Sequence, residues 1–145
     1  MGVGVFALWL GAAHFLTHSS PEPLGLAALS PLKRGLWIAA RVSAAVVTVP
    51  IAEELAYRGY LLRRFKSADF ESVRFGHAGG WALLLSSLVF GVGHGTWWLP
   101  ATAAGLLYGL LPMRTGRMGE AIAAHATTNG LIAVWVLLLQ QWQLW

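Results

Sequence analysis

Three charged side chains interrupt a stretch of chain that is otherwise apolar: Glu53, Glu54 and Arg58. Glu54 and Arg58 are four residues apart and would share one helix face, so an ion pair between them could exist for structural reasons alone. Glu53 is rotated by about 100° from Glu54 on a helix and has no partner at helical spacing. A charged side chain near the middle of a bilayer costs roughly 2.5–3.5 kcal/mol, so an unpaired Glu53 indicates a function.

Three further polar side chains lie in apolar stretches of the sequence: His94, His125 and Asn129. His125 and Asn129 are about one helical turn apart and share a face. A carboxylate beside imidazoles can activate water, and N–H donors can stabilise the oxyanion that forms when water attacks a carbonyl group. Burial disfavours the charged form of Glu53 whereas Arg58 favours it, and this balance suits a general base. These residues predict hydrolysis of a peptide bond.

Other hydrolytic sites fit the sequence less well. The chain has no cysteine, and its only aspartate, Asp69, lies in a polar segment, which excludes thiol and paired-aspartate catalysis. A zinc motif of the H-E-x-x-H type is absent. Ser86 or Ser87 could form a dyad with a histidine, but the Gly-x-Ser-x-Gly turn of many serine hydrolases is missing. A glutamate that works with histidines is the chemistry that remains.

The composition is that of a membrane protein. Hydrophobic residues make up 57% of the 145 residues, charged residues make up 11%, and the mean hydropathy is +0.60. The ten Lys and Arg residues are spread over several connecting segments, which argues against binding of nucleic acid. We expect a single membrane domain, residues 1–145.

Five apolar segments divide the chain and predict an all-α, polytopic transmembrane helical bundle with about five spans. They cover about residues 3–17, 42–62, 79–94, 99–111 and 119–141. Polar segments at 18–31 and 63–74 are predicted loops, and residues 95–100 are a predicted turn. Ala101, Gly105 and Gly109 recur every four residues in the fourth span, which predicts close helix packing there.

The polar residues of three spans are predicted to meet at a similar depth. At 1.5 Å of rise per residue, Glu53 lies roughly 15 Å from the cytoplasmic end of its span, and His125 and Asn129 lie roughly 12 Å and 18 Å from theirs. His94 lies roughly 22 Å deep on the same scale. Helix tilt absorbs this spread, so one buried polar site built from three helices is expected.

The distribution of basic residues predicts the topology. Six basic residues lie on one side of the predicted spans: Arg63, Arg64, Lys66, Arg74, Arg114 and Arg117. Three lie on the other side: Lys33, Arg34 and Arg41. The more basic side is expected to be cytoplasmic, with the N-terminus on that side and the C-terminus outside. The first 21 residues carry no formal charge, so the basic start of a signal peptide is missing and a retained first helix is expected rather than a cleaved one.

Three ordered motifs carry a family resemblance. They are Glu53-Glu54-x-x-x-Arg58, Phe90-x-x-x-His94 and His125-x-x-x-Asn129. In combination they resemble the motifs of the CAAX-protease and bacteriocin-processing (CPBP, or Abi) family of intramembrane proteases. The resemblance covers about residues 43–141, which would form the core of the domain after one short N-terminal span.

The resemblance implies an all-helical fold and peptidase activity with Glu53 as the base. It also implies that His94 helps to activate water and that His125 and Asn129 form the oxyanion hole. A membrane-anchored protein or peptide would be the substrate, and the plasma (inner) membrane of a prokaryotic cell would be the location. The chain is smaller than eukaryotic CAAX proteases, which have more spans, so gating helices and substrate contacts are expected to be missing or to come from a partner.

Several alternatives stay open. No cofactor is expected, but members of the family have also been described as metal-dependent, which leaves a zinc ion held by Glu53, His94 and His125 as a variant. A non-catalytic membrane protein of the immunity type could bind a peptide on the same scaffold. A small transporter could use Glu53 and Glu54 as a proton relay, because buried acids also serve that role.

Overall fold

The computed structural model describes residues 1–16 and 21–145. Within these residues the chain forms six α-helices and no β-strand, which confirms the predicted all-α fold. The helices are α1 (Gly2–Leu16), α2 (Leu24–Ala27), α3 (Pro31–Arg64), α4 (Gly80–Val92), α5 (Trp98–Thr115) and α6 (Met118–Leu139). Short 3₁₀ turns lie at Phe75–His77, Gly95–Trp97 and Trp142–Leu144.

Two of these helices, α3 and α6, are long and apolar enough to cross a membrane, and α1 and α4 are shorter apolar helices. The five segments predicted as spans lie on α1, α3, α4, α5 and α6, apart from a few residues at their ends. Thr17 and His18, at the predicted boundary between the first span and its loop, lie outside the described residues. The predicted loop 18–31 also contains the short helix α2, which the sequence analysis missed.

Helix α3 begins at Pro31, so the predicted start of the second span at residue 42 is wrong for the helix as a whole. Proline favours the first turn of a helix because that turn needs no N–H from it. A helix of 34 residues is about 50 Å long, well beyond the roughly 30 Å of a bilayer core. Lys33 and Arg41 lie in the N-terminal part of α3, which the bilayer core need not cover. These charges predict the start of a membrane span in the sequence, but they do not interrupt the helix.

Two stretches of α3, Ala44–Thr48 and Leu55–Leu61, have the wider π-helical geometry. The α-helical stretch between them, Val49–Glu54, contains Pro50, which cannot donate a helical hydrogen bond. π-Helical turns are rare and often occur at functional sites. Glu53 and Glu54 end the α-helical stretch, so both carboxylates lie where the helix geometry changes.

Helices α4 and α5 form a hairpin whose backbones come very close. A methyl group in place of the Gly109 hydrogen would overlap the side chain of Leu83, and one at Gly105 would lie 3.1 Å from the Cβ of Ser87. The close packing that the small-residue spacing on α5 predicts is thus present in the structure. After this hairpin Gly116, with φ of 73°, ends α5 in the left-handed conformation and turns the chain toward α6.

Helix α1 packs along α6 in the same direction, from Ala124 toward the C-terminal end of α6. The hydroxyl of Thr128 lies 3.0 Å from the carbonyl oxygen of Gly2, and the rings of Phe6 and Trp135 meet edge to face at 5.8 Å. A methyl group in place of the Gly2 hydrogen would lie 2.5 Å from the carbonyl oxygen of Ala124, so the two helices are in direct backbone contact. Helix α1 therefore closes one side of the bundle.

Candidate active site

Glu54 and Arg58 form the ion pair that their spacing predicts. Arg58 Nη1 donates to Glu54 Oε1 at 2.9 Å, and the two side chains are 1% and 0% exposed. Arg58 Nη2 donates to the carbonyl oxygen of Gly105 on α5 at 2.9 Å, and the guanidinium group lies 4.5 Å from the ring centre of Phe90. The charge that burial would otherwise penalise is offset by a carboxylate, a carbonyl and an aromatic face.

His125 on α6 lies between the two carboxylates of α3. Its Nδ1 is 2.9 Å from Glu54 Oε1, and its Nε2 is 3.7 Å from Glu53 Oε2. Because Glu54 Oε1 already accepts from the Arg58 guanidinium, it serves as the acceptor here too, and the hydrogen between Glu54 and His125 belongs on Nδ1. The separation from Glu53 is too long for a direct hydrogen bond. Glu53 Oε2 is buried and accepts no hydrogen bond from any described residue.

Asn129 is tied to the irregular part of α3. Its Nδ2 donates to the carbonyl oxygen of Ala45 at 2.8 Å. The Val49 N–H bonds to the carbonyl oxygen of Ala44 in the π-helical pattern, and the next residue, Pro50, has no N–H to offer. The Ala45 carbonyl therefore lacks a helical donor, and Asn129 supplies one. One N–H of the amide is committed to this bond, and the other is left for a further acceptor.

His94 follows the end of α4 and has a defined tautomer. Its Nδ1 lies 2.8 Å from the carbonyl oxygen of Phe90, and because a carbonyl only accepts, Nδ1 carries a hydrogen. In the neutral ring Nε2 then has a free lone pair. The imidazole packs at 4.5 Å from the ring of Phe90 and at 6.3 Å from the ring of Trp9 on α1.

A cavity of about 460 Å³ brings the predicted residues together. Glu53, His94, His125 and Asn129 all line it, as the depth estimate predicts. Glu54 and Arg58 do not line it; they are fully buried and reach it through His125. The arrangement can hold a water molecule near one carboxylate and present N–H groups from α6 to a carbonyl group.

The cavity also has walls that the sequence analysis missed. Tyr108 on α5 and Trp9 on α1 line it, and Arg41 lies at its edge against the indole rings of Trp37 and Trp145. Tyr108 was hidden among the small residues of α5, which predict packing only. The sequence signal was a tyrosine within a packing face of small residues, because a buried hydroxyl group needs a hydrogen-bond partner.

The fit of a metal ion can be judged from the donors themselves. Among the residues that the structure describes, no three His, Asp or Glu side chains are grouped closely enough to hold one ion. Glu53, His94 and His125 line the same cavity but do not form such a group. As arranged here these three side chains do not fit a zinc ion, and a chelator tests whether one takes part in the reaction.

Comparison with known families adds independent information. Residues 35–131 match the family model described as type II CAAX prenyl endopeptidase Rce1-like, over more than half of the chain. The chain belongs to the Rce1-like family. The resemblance to the CPBP family is thereby confirmed, and the matched region includes all three motifs. No curated protein and no solved structure matches the chain at a significant level.

Membership of the Rce1-like family identifies the chain as a CAAX-type protease with a membrane-associated protein or peptide as its substrate. The apolar helices α3 and α6 agree with an integral membrane protein. Helix α1 and the end of α6 lie outside the matched region, although Trp9 and Ile132 from these parts line the cavity.

Proposed function

We propose that the chain is a glutamate-dependent intramembrane endopeptidase in which Glu53 activates water, His94 helps to hold that water, and His125 and Asn129 bind the oxyanion. Glu54 and Arg58 support the reaction by fixing His125. The substrate is a membrane-anchored protein or peptide whose scissile bond enters the cavity.

The observation that carries this proposal is the position of His125 between two carboxylates at the cavity wall. Glu54 accepts from Nδ1 at 2.9 Å and thereby fixes the ring, while Nε2 faces Glu53 and the cavity. Because Nδ1 already donates to Glu54, Nε2 is the ring nitrogen left to donate to an oxyanion in the cavity.

The reaction follows from these positions. Glu53 takes a proton from water as the water oxygen bonds to the carbonyl carbon of the peptide. The carbonyl oxygen becomes an oxyanion and accepts hydrogen bonds from His125 Nε2 and from the uncommitted N–H of Asn129. When the carbonyl re-forms, the C–N bond breaks and Glu53 returns the proton to the leaving nitrogen. The products are a carboxylic acid and an amine, and the side chains return to their starting state.

His94 supports the water rather than the oxyanion. Because its Nδ1 donates to the Phe90 carbonyl, its Nε2 lone pair is the group available to accept a hydrogen bond from the attacking water. With Glu53 as the second acceptor, the water is oriented by one group on α3 and one in the turn after α4. Two acceptors leave a water lone pair directed at the carbonyl carbon, which favours attack.

A reconstituted preparation tests the proposal. The protein is placed in liposomes with a prenylated peptide that ends in a CAAX sequence, and cleavage is compared for wild type, Glu53→Gln and Glu71→Gln. Glu71 is an exposed acid in the loop after α3 and serves as the matched control. Wild type and Glu71→Gln are expected to cleave, and Glu53→Gln is expected to lose at least about 100-fold of the rate, as removal of a general base does. Cleavage by Glu53→Gln at the wild-type rate would overturn the proposal.

A chelator added to the same assay addresses the zinc variant. Activity that survives exhaustive chelation supports water activated by Glu53 alone. Activity that is lost with the chelator and restored by zinc would instead assign Glu53, His94 and His125 to a metal ion.

A further inference from the structure

We propose that Tyr108 is a positioning residue for His125, a role that rests on the proposed function of His125. The Tyr108 ring stacks on the imidazole with a centroid distance of 4.8 Å and an interplanar angle of 16°. Neither residue type nor spacing links the two in sequence, because they lie on different helices. The stack fixes the plane in which Nδ1 meets Glu54 and Nε2 faces Glu53.

The imidazole needs such a support because one hydrogen bond does not fix a ring. The bond from Nδ1 to Glu54 Oε1 holds one edge, and rotation about that bond would still move Nε2 out of line with Glu53. Rotation about the terminal torsion of a histidine is soft, with broad and roughly two-fold preferences. A flat ring on one face of the imidazole removes this freedom, and Phe90 limits it on another side with an edge-to-face contact at 6.0 Å.

Tyr108 is itself held at both ends. Its hydroxyl donates to Thr128 Oγ1 at 2.7 Å, and Thr128 lies on α6 three residues after His125. The backbone of α5 is fixed one turn earlier, where Gly105 accepts from Arg58. The Tyr108 side chain is 2% exposed, so the ring has little room to move. The Tyr108 ring is therefore fixed by the contact between α5 and α6, and it restricts movement of the imidazole that stacks on it.

The link also reaches helix α1. Because Thr128 accepts from Tyr108, its own hydrogen is free to be donated, and the carbonyl oxygens of Gly2 and Ala124 lie at 3.0 Å and 3.1 Å. Thr128 thus connects the phenol group to α1 or to its own helix. His125 on α6 is thus linked to α3 through Glu54, to α5 through Tyr108 and, through Thr128, to α1, which lies outside the region that matches the family model.

Kinetics of Tyr108 variants test the inference in the reconstituted protein with the prenylated CAAX peptide. Tyr108→Phe keeps the stack and loses the hydroxyl anchor, and we expect kcat to fall about 10-fold; Tyr108→Leu loses both, and we expect about 100-fold. KM should change by less than about two-fold, because orientation of His125 matters after binding. Tyr60→Phe, at an exposed tyrosine of α3, is the matched control and should keep wild-type kinetics.

A second readout does not depend on activity. In protein labelled with ¹⁵N-histidine, the ring signals of His125, assigned by their loss in His125→Gln, should report one fixed form in wild type and in Tyr60→Phe. They should broaden or shift in Tyr108→Leu, and less so in Tyr108→Phe. Unchanged His125 signals in Tyr108→Leu would overturn the inference, and so would a loss confined to KM, which would make Tyr108 a substrate contact. If wild type cleaves nothing, the proposed function fails while the ring signals still decide the role of Tyr108.

Discussion

Glu53 and Glu54 both lie next to His125. Although the two glutamates are neighbours in sequence, their side chains have different surroundings. Glu54 is fully buried and bonded to Arg58 and His125, whereas the Glu53 side chain is 30% exposed and lines the cavity. The oxygen of Glu54 that faces His125 already accepts from two donors, whereas Glu53 lines the cavity and its Oε2 accepts no hydrogen bond from a described residue. The two neighbouring glutamates thus meet different surroundings, which supports the proposed division into a supporting residue and a base.

Part of this arrangement could be predicted from the sequence. The Glu54–Arg58 pair follows from four-residue spacing on a helix, and the shared site follows from residue depth. The contact between His125 and Glu54 joins residues 71 positions apart and depends on how α3 packs on α6. Helical periodicity gives the face of each residue but not which face meets which, so the partner of Glu54 on α6 could not be foreseen.

The buried ion pair leads to a prediction on stability. Glu54→Gln leaves the Arg58 guanidinium buried without a counter-charge, and we expect the free energy of unfolding in detergent to fall by about 3–5 kcal/mol. Glu22→Gln removes the partly exposed ion pair with Arg34 and should cost no more than about 1 kcal/mol. Equal losses of unfolding free energy in the two variants would show that the buried ion pair stabilises the protein no more than the partly exposed one.

At the scale of elements, the irregular geometry of α3 sets the site. The two π-helical stretches surround the segment that ends in Glu53 and Glu54, and one of them leaves the Ala45 carbonyl for Asn129. Hydropathy carries no signal for a π-helical turn, because it reports the polarity of side chains and not the hydrogen-bond pattern of the backbone. Pro50 was the available sign, since a proline inside a helix removes one hydrogen bond of the regular pattern.

This dependence on Pro50 can be tested with a pair of substitutions. Asn129→Ala removes the donor to the Ala45 carbonyl, and we expect a loss of stability of about 1–3 kcal/mol together with a loss of cleavage. Pro50→Ala restores a backbone N–H and should recover much of that stability in the double variant. Cleavage should not recover, because the oxyanion still lacks Asn129. The free energy of unfolding and the cleavage rate are measured for all four proteins.

Two other results would speak against this description of Asn129. If Pro50→Ala has no effect on the stability of Asn129→Ala, the missing N–H is not the reason for the bond to Ala45. If the double variant also recovers cleavage, Asn129 acts only through the shape of α3 and not on the oxyanion.

At the scale of the whole molecule, the apolar surface requires a bilayer. Only 6% of the most apolar stretch of α3 is buried within the protein. Exposed leucine, isoleucine and valine side chains occur along the length of this helix. An apolar surface of this extent is stable when lipid covers it. The composition predicts the same class, because 145 residues that are 57% hydrophobic and 11% charged carry more apolar surface than one small core readily buries.

The orientation of the whole molecule in the membrane is also predicted: the basic loops lie in the cytoplasm. The absence of cysteine from the chain allows single-cysteine reporters without further substitution. Ala68→Cys, in the exposed loop after α3, should react with an impermeant thiol reagent only after cells are opened. Thr96→Cys, in the exposed turn between α4 and α5, should react in intact cells. The reverse pattern would invert the assigned orientation.

The claim that Glu53 activates water, rather than attacking the peptide itself, is tested most directly by isotope transfer in a single turnover. Excess wild-type protein in liposomes is mixed with the prenylated CAAX peptide in ¹⁸O-labelled water, and the cleaved fragment is analysed by mass spectrometry. Activated water predicts one ¹⁸O atom in every newly formed carboxylate. A first-turnover product without label would contradict the account, because its new oxygen would have come from a carboxylate of the protein.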